Sequence, residues 1–143
     1  MVTMPVYRDA RHLKEIMAAL AERARFSDAA RGLRDAQLVV AFVYRNPDVT
    51  VVMDGRTPTT DGSYMTVRFD ALEPPPDVTF ESPADVGHTF WQGKLNVPAA
   101  LARGQVKARG AIARALKLLP LLPPLYQMYR EVLVARGEGD LLS

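Results

Sequence analysis

The sequence predicts an α+β domain with a mixed, mostly antiparallel sheet and helices over one face of that sheet. Three observations support this class: helical spacing of apolar residues at 9–25, successive strand-like segments over 38–81, and helical spacing again from residue 82. Strands and helices are grouped rather than alternating, which is typical of α+β architecture. A length of 143 residues predicts a single domain spanning 1–143.

The first predicted helix is amphipathic. Its apolar positions recur at helical spacing and form one stripe that would face the core: Leu13, Ile16, Met17, Leu20 and Ala24. Residues 26–37 are polar and rich in alanine, and we expect helical structure there to stop near Gly32.

Four strands are predicted in succession. Residues 38–44 are a continuous β-prone run, which is typical of a strand covered on both faces. The next strand, 49–53, ends at the turn signal Asp54-Gly55. Segments 64–69 and 77–81 alternate apolar and polar residues, as strands with one solvated face do.

The pattern then changes to helical spacing. We expect a helix over 83–92 that Ser82 caps at its start and Gly93 ends. The remaining predicted elements are, in order, a short helix at 98–104, a strand with a basic face at 105–110, and helices at 111–119 and 125–137.

The composition excludes several classes of protein. With 48% hydrophobic and 24% charged residues the chain is not a disordered one, and without cysteine it has no disulfide, thiolate zinc site or cysteine nucleophile. The N-terminus lacks the apolar core of a signal peptide. The apolar segment 116–125 is too short and too rich in proline to span a membrane. Leu141-Leu142-Ser143 is not a peroxisomal signal, so we expect a cytoplasmic protein.

No constellation of catalytic residues is recognisable. The serines do not lie in a Gly-x-Ser-x-Gly context; they are Ser27, Ser63, Ser82 and Ser143. The chain contains neither a phosphate-binding loop nor a dinucleotide-binding glycine motif. We expect His88 to be a surface histidine, and we assign no role to His12. We therefore predict that the protein is not an enzyme and requires no cofactor.

A metal site is also not predicted. The acidic residues most similar to a metal-binding cluster are Asp54, Asp61 and Asp70, but their spacing matches no calcium loop. We interpret these aspartates as turn residues.

Basic residues concentrate in the last third of the chain. Residues 94–143 contain eight basic and three acidic residues. No aromatic residue lies among Lys107, Arg109, Arg114 and Lys117, so we do not expect nucleic-acid binding. Lys107 and Arg109 share one face of the predicted strand, and we expect this face to contact anionic membrane surfaces transiently.

Flexible apolar side chains crowd into the segment from residue 116 to residue 133. Two interpretations remain open on composition: ordinary core packing, or an adaptable apolar pocket against the sheet. Prolines at 120, 123 and 124 divide the segment, so the last helix could cover such a pocket as a separate lid.

Two segments resemble the sterol carrier protein type 2 domain family. They are residues 93–101, Gly-Lys-Leu-Asn-Val-Pro-Ala-Ala-Leu, and residues 104–110, Gly-Gln-Val-Lys-Ala-Arg-Gly. In that family an alternating strand precedes such a segment and a leucine-rich helix follows it, as 77–80 and 112–119 do here. The resemblance is to a stand-alone bacterial member, so we expect no attached catalytic domain. Gly87 departs from the pattern, because the family usually has a bulky apolar residue there.

The resemblance implies a five-stranded sheet with an apolar tunnel between sheet and helices. The implied function is non-enzymatic binding and transfer or presentation of a fatty acyl chain, a sterol or an isoprenoid. The residues at matching positions that we expect to contact the lipid are Phe90, Trp91, Leu95, Leu101, Ile112, Leu116 and Leu119. On the inner stripe of the last helix, we also expect Leu125 and Met128 to contact it. We expect Trp91 near the mouth of this space.

The alternative function is a protein-interaction or dimerisation module that uses the C-terminal leucine- and proline-rich segment. A large exposed apolar patch would indicate it.

Overall fold

The apolar segments predicted as strands form one sheet. In a computed structural model that describes residues 5–142, the strands are β1 Val39–Arg45, β2 Val49–Asp54, β3 Thr66–Phe69, β4 Val78–Pro83 and β5 Lys107–Gly110. Their order in the sheet is β3-β2-β1-β4-β5. β1 and β4 are parallel, and the other pairs are antiparallel. The predicted mixed, mostly antiparallel five-stranded sheet is confirmed.

Helices precede and follow the strands. They are α1 Ala10–Ala24, α2 Asp28–Asp35, α3 Ala84–Trp91, α4 Val97–Ala102, α5 Ile112–Leu116 and α6 Pro123–Ala135, with 3₁₀ turns at Leu119–Leu121 and Gly139–Leu141. The Asp9 carboxylate starts α1 by accepting a hydrogen bond from the His12 amide at 2.8 Å. The predicted apolar stripe of α1 is buried, and α1 packs against α6 and β2.

The central strand separates two groups of buried side chains. Val40 and Tyr44 of β1 belong to the main core beneath the helices, whereas Val39 and Ala41 form a small cluster with Val52. Because successive side chains of a strand point to opposite faces, the first half of β1 is buried on both sides, as its continuous apolar run predicted.

Two predicted helix boundaries are wrong. Gly32 does not stop a helix; it lies inside α2, where an added Cβ would come within 2.8 Å of Leu121. The glycine permits close packing of α2 against the 3₁₀ turn. Ser82 does not cap α3, because β4 continues through Pro83 and the Ser82 hydroxyl donates to the Pro83 carbonyl at 3.1 Å. No helix in residues 5–142 is long and apolar enough to cross a membrane.

Candidate functional site: an apolar cavity between sheet and helices

A cavity of about 120 Å³ lies between the sheet and the helices. Among residues 5–142 the lining contains no charged side chain. Polar side-chain atoms come from Tyr44, Ser82 and Trp91. The sheet contributes Val40, Phe42, Tyr44, Met53, Phe80 and Ser82. Dry cavities of about this size accept small apolar molecules: an engineered one of about 150 Å³ binds benzene.

The cavity face of β1 follows from strand geometry. Val40, Phe42 and Tyr44 alternate with Val39, Ala41 and Val43, so they share one face of the sheet. Phe42 stacks on Phe80 of the neighbouring parallel strand, with ring centroids 5.8 Å apart. None of these residues was predicted to contact a ligand. Their two-residue periodicity within the continuous run 38–44 was the signal that could have found them.

Residues 115–122, which we call the covering segment, form one wall of the cavity. Ala115, Leu116, Leu118, Leu119 and Leu122 line the cavity and are half-buried. Helix α6 contributes Leu125 to the lining and packs mainly against α1. α6 thus adds one residue to the wall that α5 and the 3₁₀ turn begin, and its role as a separate lid stays a prediction.

The residues expected to contact lipid divide into two groups. Those that line the cavity are Phe90, Trp91, Leu95, Leu116, Leu119 and Leu125. Leu101, Ile112 and Met128 lie outside the lining. Ile112 and Met128 are half-buried and pack against the main core instead, because the neighbouring turn of each helix supplies the cavity-facing residue.

Gly87 and Tyr44 together shape one end of the cavity. A Cβ added at Gly87 would lie 2.5 Å from the Tyr44 ring, so the ring occupies the space that a side chain on α3 would need. The Tyr44 hydroxyl accepts a hydrogen bond from Trp91 Nε1 at 3.1 Å. Trp91 is 2% exposed, so it lies in the wall of the cavity and not at a solvent-exposed mouth.

His88 is buried, which corrects its expected place on the surface. Nε2 donates to the Leu141 carbonyl at 2.8 Å, and Nδ1 accepts from the Tyr129 hydroxyl at 2.7 Å. The Tyr7 and Tyr129 hydroxyls are 2.6 Å apart. Burial lowers the pKa of His88, with the Leu141 carbonyl acting in the opposite direction. Nε2 therefore fixes the C-terminal turn, and Nδ1 fixes Tyr129 of α6.

His12 has a similar structural role. Its Nδ1 accepts from the Arg8 amide at 3.0 Å, which leaves Nε2 as the donor to Glu138 at 2.5 Å. Both histidines therefore hold the segment after α6 against the core.

Asp61 and Asp70 lie in bends, as expected, whereas Asp54 is the buried last residue of β2. Asp54 accepts from the Arg56 amide at 2.7 Å, Asp61 from the Ser63 amide at 2.9 Å, and Asp70 from the Thr50 amide at 2.9 Å. Within residues 5–142, no three His, Asp or Glu side chains are grouped as they would be around a metal ion. Of the four serines named above, Ser143 lies outside the described residues.

Solved structures of other proteins have a similar fold. The sterol carrier protein domain 2 of Helicoverpa armigera matches with a TM-score of 0.61 and 21% identity, over 89% of this chain and 95% of that one. The chain adopts the sterol carrier protein 2 fold. A conserved hypothetical protein of Thermus thermophilus matches with a TM-score of 0.60 and 20% identity, over 83% of this chain and 87% of that one.

The sterol carrier protein 2 fold also appears as part of a larger enzyme. The inverting sec-alkylsulfatase of a Pseudomonas species matches with a TM-score of 0.53 and 23% identity, over 68% of this chain. The match covers 14% of the sulfatase. No protein-family model and no curated protein matches the chain.

Proposed function

We propose that the protein is a cytoplasmic, non-enzymatic carrier that binds an apolar lipid in the cavity and transfers or presents it. The observation that carries this proposal is the lining: aliphatic, aromatic and thioether side chains form most of it, and none of the lining residues among 5–142 is charged. Burying apolar ligand surface against such a lining is favourable by about 25 cal/mol per Å². The carrier named in the Helicoverpa neighbour supports the same function.

The ligand class is a fatty acyl chain, a sterol or an isoprenoid. Such molecules need more room than about 120 Å³, so the covering segment must move outward when one enters. Leucine side chains of this half-buried segment would then pack on the ligand. We propose that the lipid contacts Phe90, Trp91, Leu95, Leu116, Leu119 and Leu125.

The site offers no group poised for catalysis. Both nitrogens of His88 are engaged by Tyr129 and Leu141, and burial lowers the pKa of this histidine. A general base must reach the proton that it abstracts, and His88 does not line the cavity. The sulfatase activity of the larger Pseudomonas enzyme is therefore not part of this proposal.

Native mass spectrometry of the purified protein tests the carrier function. We expect a monomer carrying an apolar molecule that is released on denaturation and then identified. An empty dimer would contradict the carrier and support the interaction module. That alternative is not favoured, because Leu116, Leu118 and Leu119 face the cavity.

Trp91 should report ligand entry. It is the only tryptophan in the chain, it lines the cavity, and its ring lies 5.6 Å from Phe42 and 4.8 Å from Phe90. We expect its emission to change saturably when methyl oleate or cholesterol is titrated. Heat of binding without any change in emission would place the ligand elsewhere and contradict the proposed site.

We also propose that the face of β5 contacts anionic membranes. Lys107 is exposed, whereas Arg109 donates to Glu81 at 2.9 Å and is partly neutralised. Each basic residue near an anionic bilayer contributes about 1 kcal/mol. Lys107→Gln should therefore weaken sedimentation with phosphatidylserine vesicles about fivefold, and salt should weaken it further.

The matched control for this membrane experiment is Arg23→Gln, which removes an exposed charge from α1. This control should sediment like the unmodified protein. Equal binding to neutral phosphatidylcholine vesicles would contradict an electrostatic contact.

A further inference from the structure

The two ends of the cavity differ in chemistry. Tyr44 and Ser82 are direct partners across the parallel strands β1 and β4, so their side chains lie next to each other on the cavity face. At the other end, Val40 pairs with Met53. Val40 and Tyr44 are four residues apart on β1, which places the polar and apolar ends about 13 Å from each other.

The Tyr44 hydroxyl has a hydrogen-bond donor to spare. Its oxygen accepts from Trp91 Nε1, and among residues 5–142 no acceptor for its own proton lies within hydrogen-bond distance. Tyr44 is 4% exposed, and burial raises its pKa well above the ordinary value, so the hydroxyl keeps its proton. A buried donor without an acceptor is costly, and a ligand oxygen would satisfy it.

The cavity does not suit an anion. Among residues 5–142, no lysine, arginine or histidine contributes to its lining, so a carboxylate inside it would lose its hydration without gaining a counter-ion. Ser82 donates its proton to the Pro83 carbonyl and therefore offers a ligand only an acceptor oxygen. The oxygen-bearing end of a ligand must be uncharged.

We propose that the cavity selects an uncharged apolar molecule with a carbonyl, ester or hydroxyl oxygen at one end. This oxygen accepts a hydrogen bond from Tyr44, and the hydrocarbon extends along β1 toward Val40 and Met53. The inference rests on the proposed function and adds to it the ligand's head group and its orientation. An ester, a ketone, a sterol or a quinone fits this description, whereas a free fatty acid does not.

The test compares three ligands of equal heavy-atom count that suit the size of the cavity: acetophenone, isopropylbenzene and benzoate. Isothermal titration calorimetry gives their affinities for the unmodified protein, Tyr44→Phe and Tyr126→Phe. Tyr126 does not line the cavity, so its variant makes the same chemical change away from the site. Thermal melts of both variants establish that they are folded.

We expect Tyr44→Phe to weaken acetophenone binding about fivefold relative to isopropylbenzene, the size of one neutral hydrogen bond. Isopropylbenzene has no oxygen, so its affinity reports any other effect of Tyr44→Phe on the cavity and serves as the reference. Tyr126→Phe should leave the ratio of the acetophenone and isopropylbenzene affinities unchanged.

At neutral pH benzoate should bind at least about tenfold more weakly than acetophenone. The carbonyl stretching frequency of bound acetophenone should rise in Tyr44→Phe, because a hydrogen bond to the carbonyl is lost.

Two different failures can be distinguished. If isopropylbenzene binds but Tyr44→Phe changes both neutral ligands equally, or if benzoate binds as well as acetophenone, the head-group inference is wrong and the carrier function stands. If none of the three ligands binds the folded protein, both the inference and the proposed function are wrong.

Discussion

Asp54→Ala should lower the free energy of unfolding by about 3–5 kcal/mol, the cost of breaking a buried ion pair from one side. The Asp54 side chain is fully buried and accepts from Arg68 Nη1 at 2.7 Å. It also accepts from the Thr57 amide and hydroxyl at 2.8 and 2.6 Å and from the Arg56 amide. Its loss leaves a partly buried guanidinium and two turn amides without their acceptor.

Urea denaturation measures this effect, and Asp61→Ala is its control. Asp61 also accepts from a turn amide and pairs with Arg25, but it is half-exposed, so its removal should cost far less. Losses of equal size in the two variants would show that the burial of Asp54 contributes nothing.

The same carboxylate predicts a pH dependence. Burial raises the pKa of Asp54, but the hydrogen bonds from Thr57, Arg68 and the Arg56 amide outweigh it and hold the pKa well below the ordinary 3.8. Since the folded-state pKa is depressed, its contribution to stability is present above about pH 4 and is lost as the pH falls further. Asp54→Asn should show a smaller loss of stability than the unmodified protein between pH 4 and pH 2.

Ala115→Phe should strongly weaken binding of isopropylbenzene to the cavity. Ala115 lies on α5, lines the cavity and is half-buried, so a phenyl ring there would fill space of about 120 Å³ that the ligand needs. Preventing burial of one aromatic group costs about 1.5–3 kcal/mol of binding, which is at least about tenfold in affinity.

Ala113→Phe is the control for the filled cavity. Ala113 lies on the same short helix but is exposed, so the same ring would extend into solvent. We expect calorimetry to give the unmodified affinity for this variant. Tight binding to Ala115→Phe would mean that the ligand does not occupy the cavity.

The order of elements could be predicted because it depends on local patterns. The continuous run at 38–44 predicts β1, and the apolar stripe of residues 13–24 predicts the buried face of α1. The continuation of α2 through Gly32 could not be predicted from local patterns. The glycine there leaves room for Leu121, which is distant in sequence.

Only part of the candidate site could be predicted from the sequence, for the same reason. Phe90, Trp91 and Leu116 were found through a family resemblance, yet Tyr44 was not singled out. Its importance comes from Gly87, Trp91 and Ser82, which tertiary structure brings to it from separate elements. His88 was expected on the surface because its partners Tyr129 and Leu141 lie more than forty residues further along the chain.

Methionine methyl groups give the most direct test of where a ligand binds. Met53 and Met65 line the cavity, whereas Met17 and Met128 lie outside it. With methyl-labelled methionine and saturating isopropylbenzene, we predict intermolecular nuclear Overhauser effects from the ligand to the methyl groups of Met53 and Met65 and none to Met17 or Met128. Effects confined to Met128 or Met17, or a bound ligand with none at Met53 and Met65, would contradict an apolar binding cavity between the sheet and the helices.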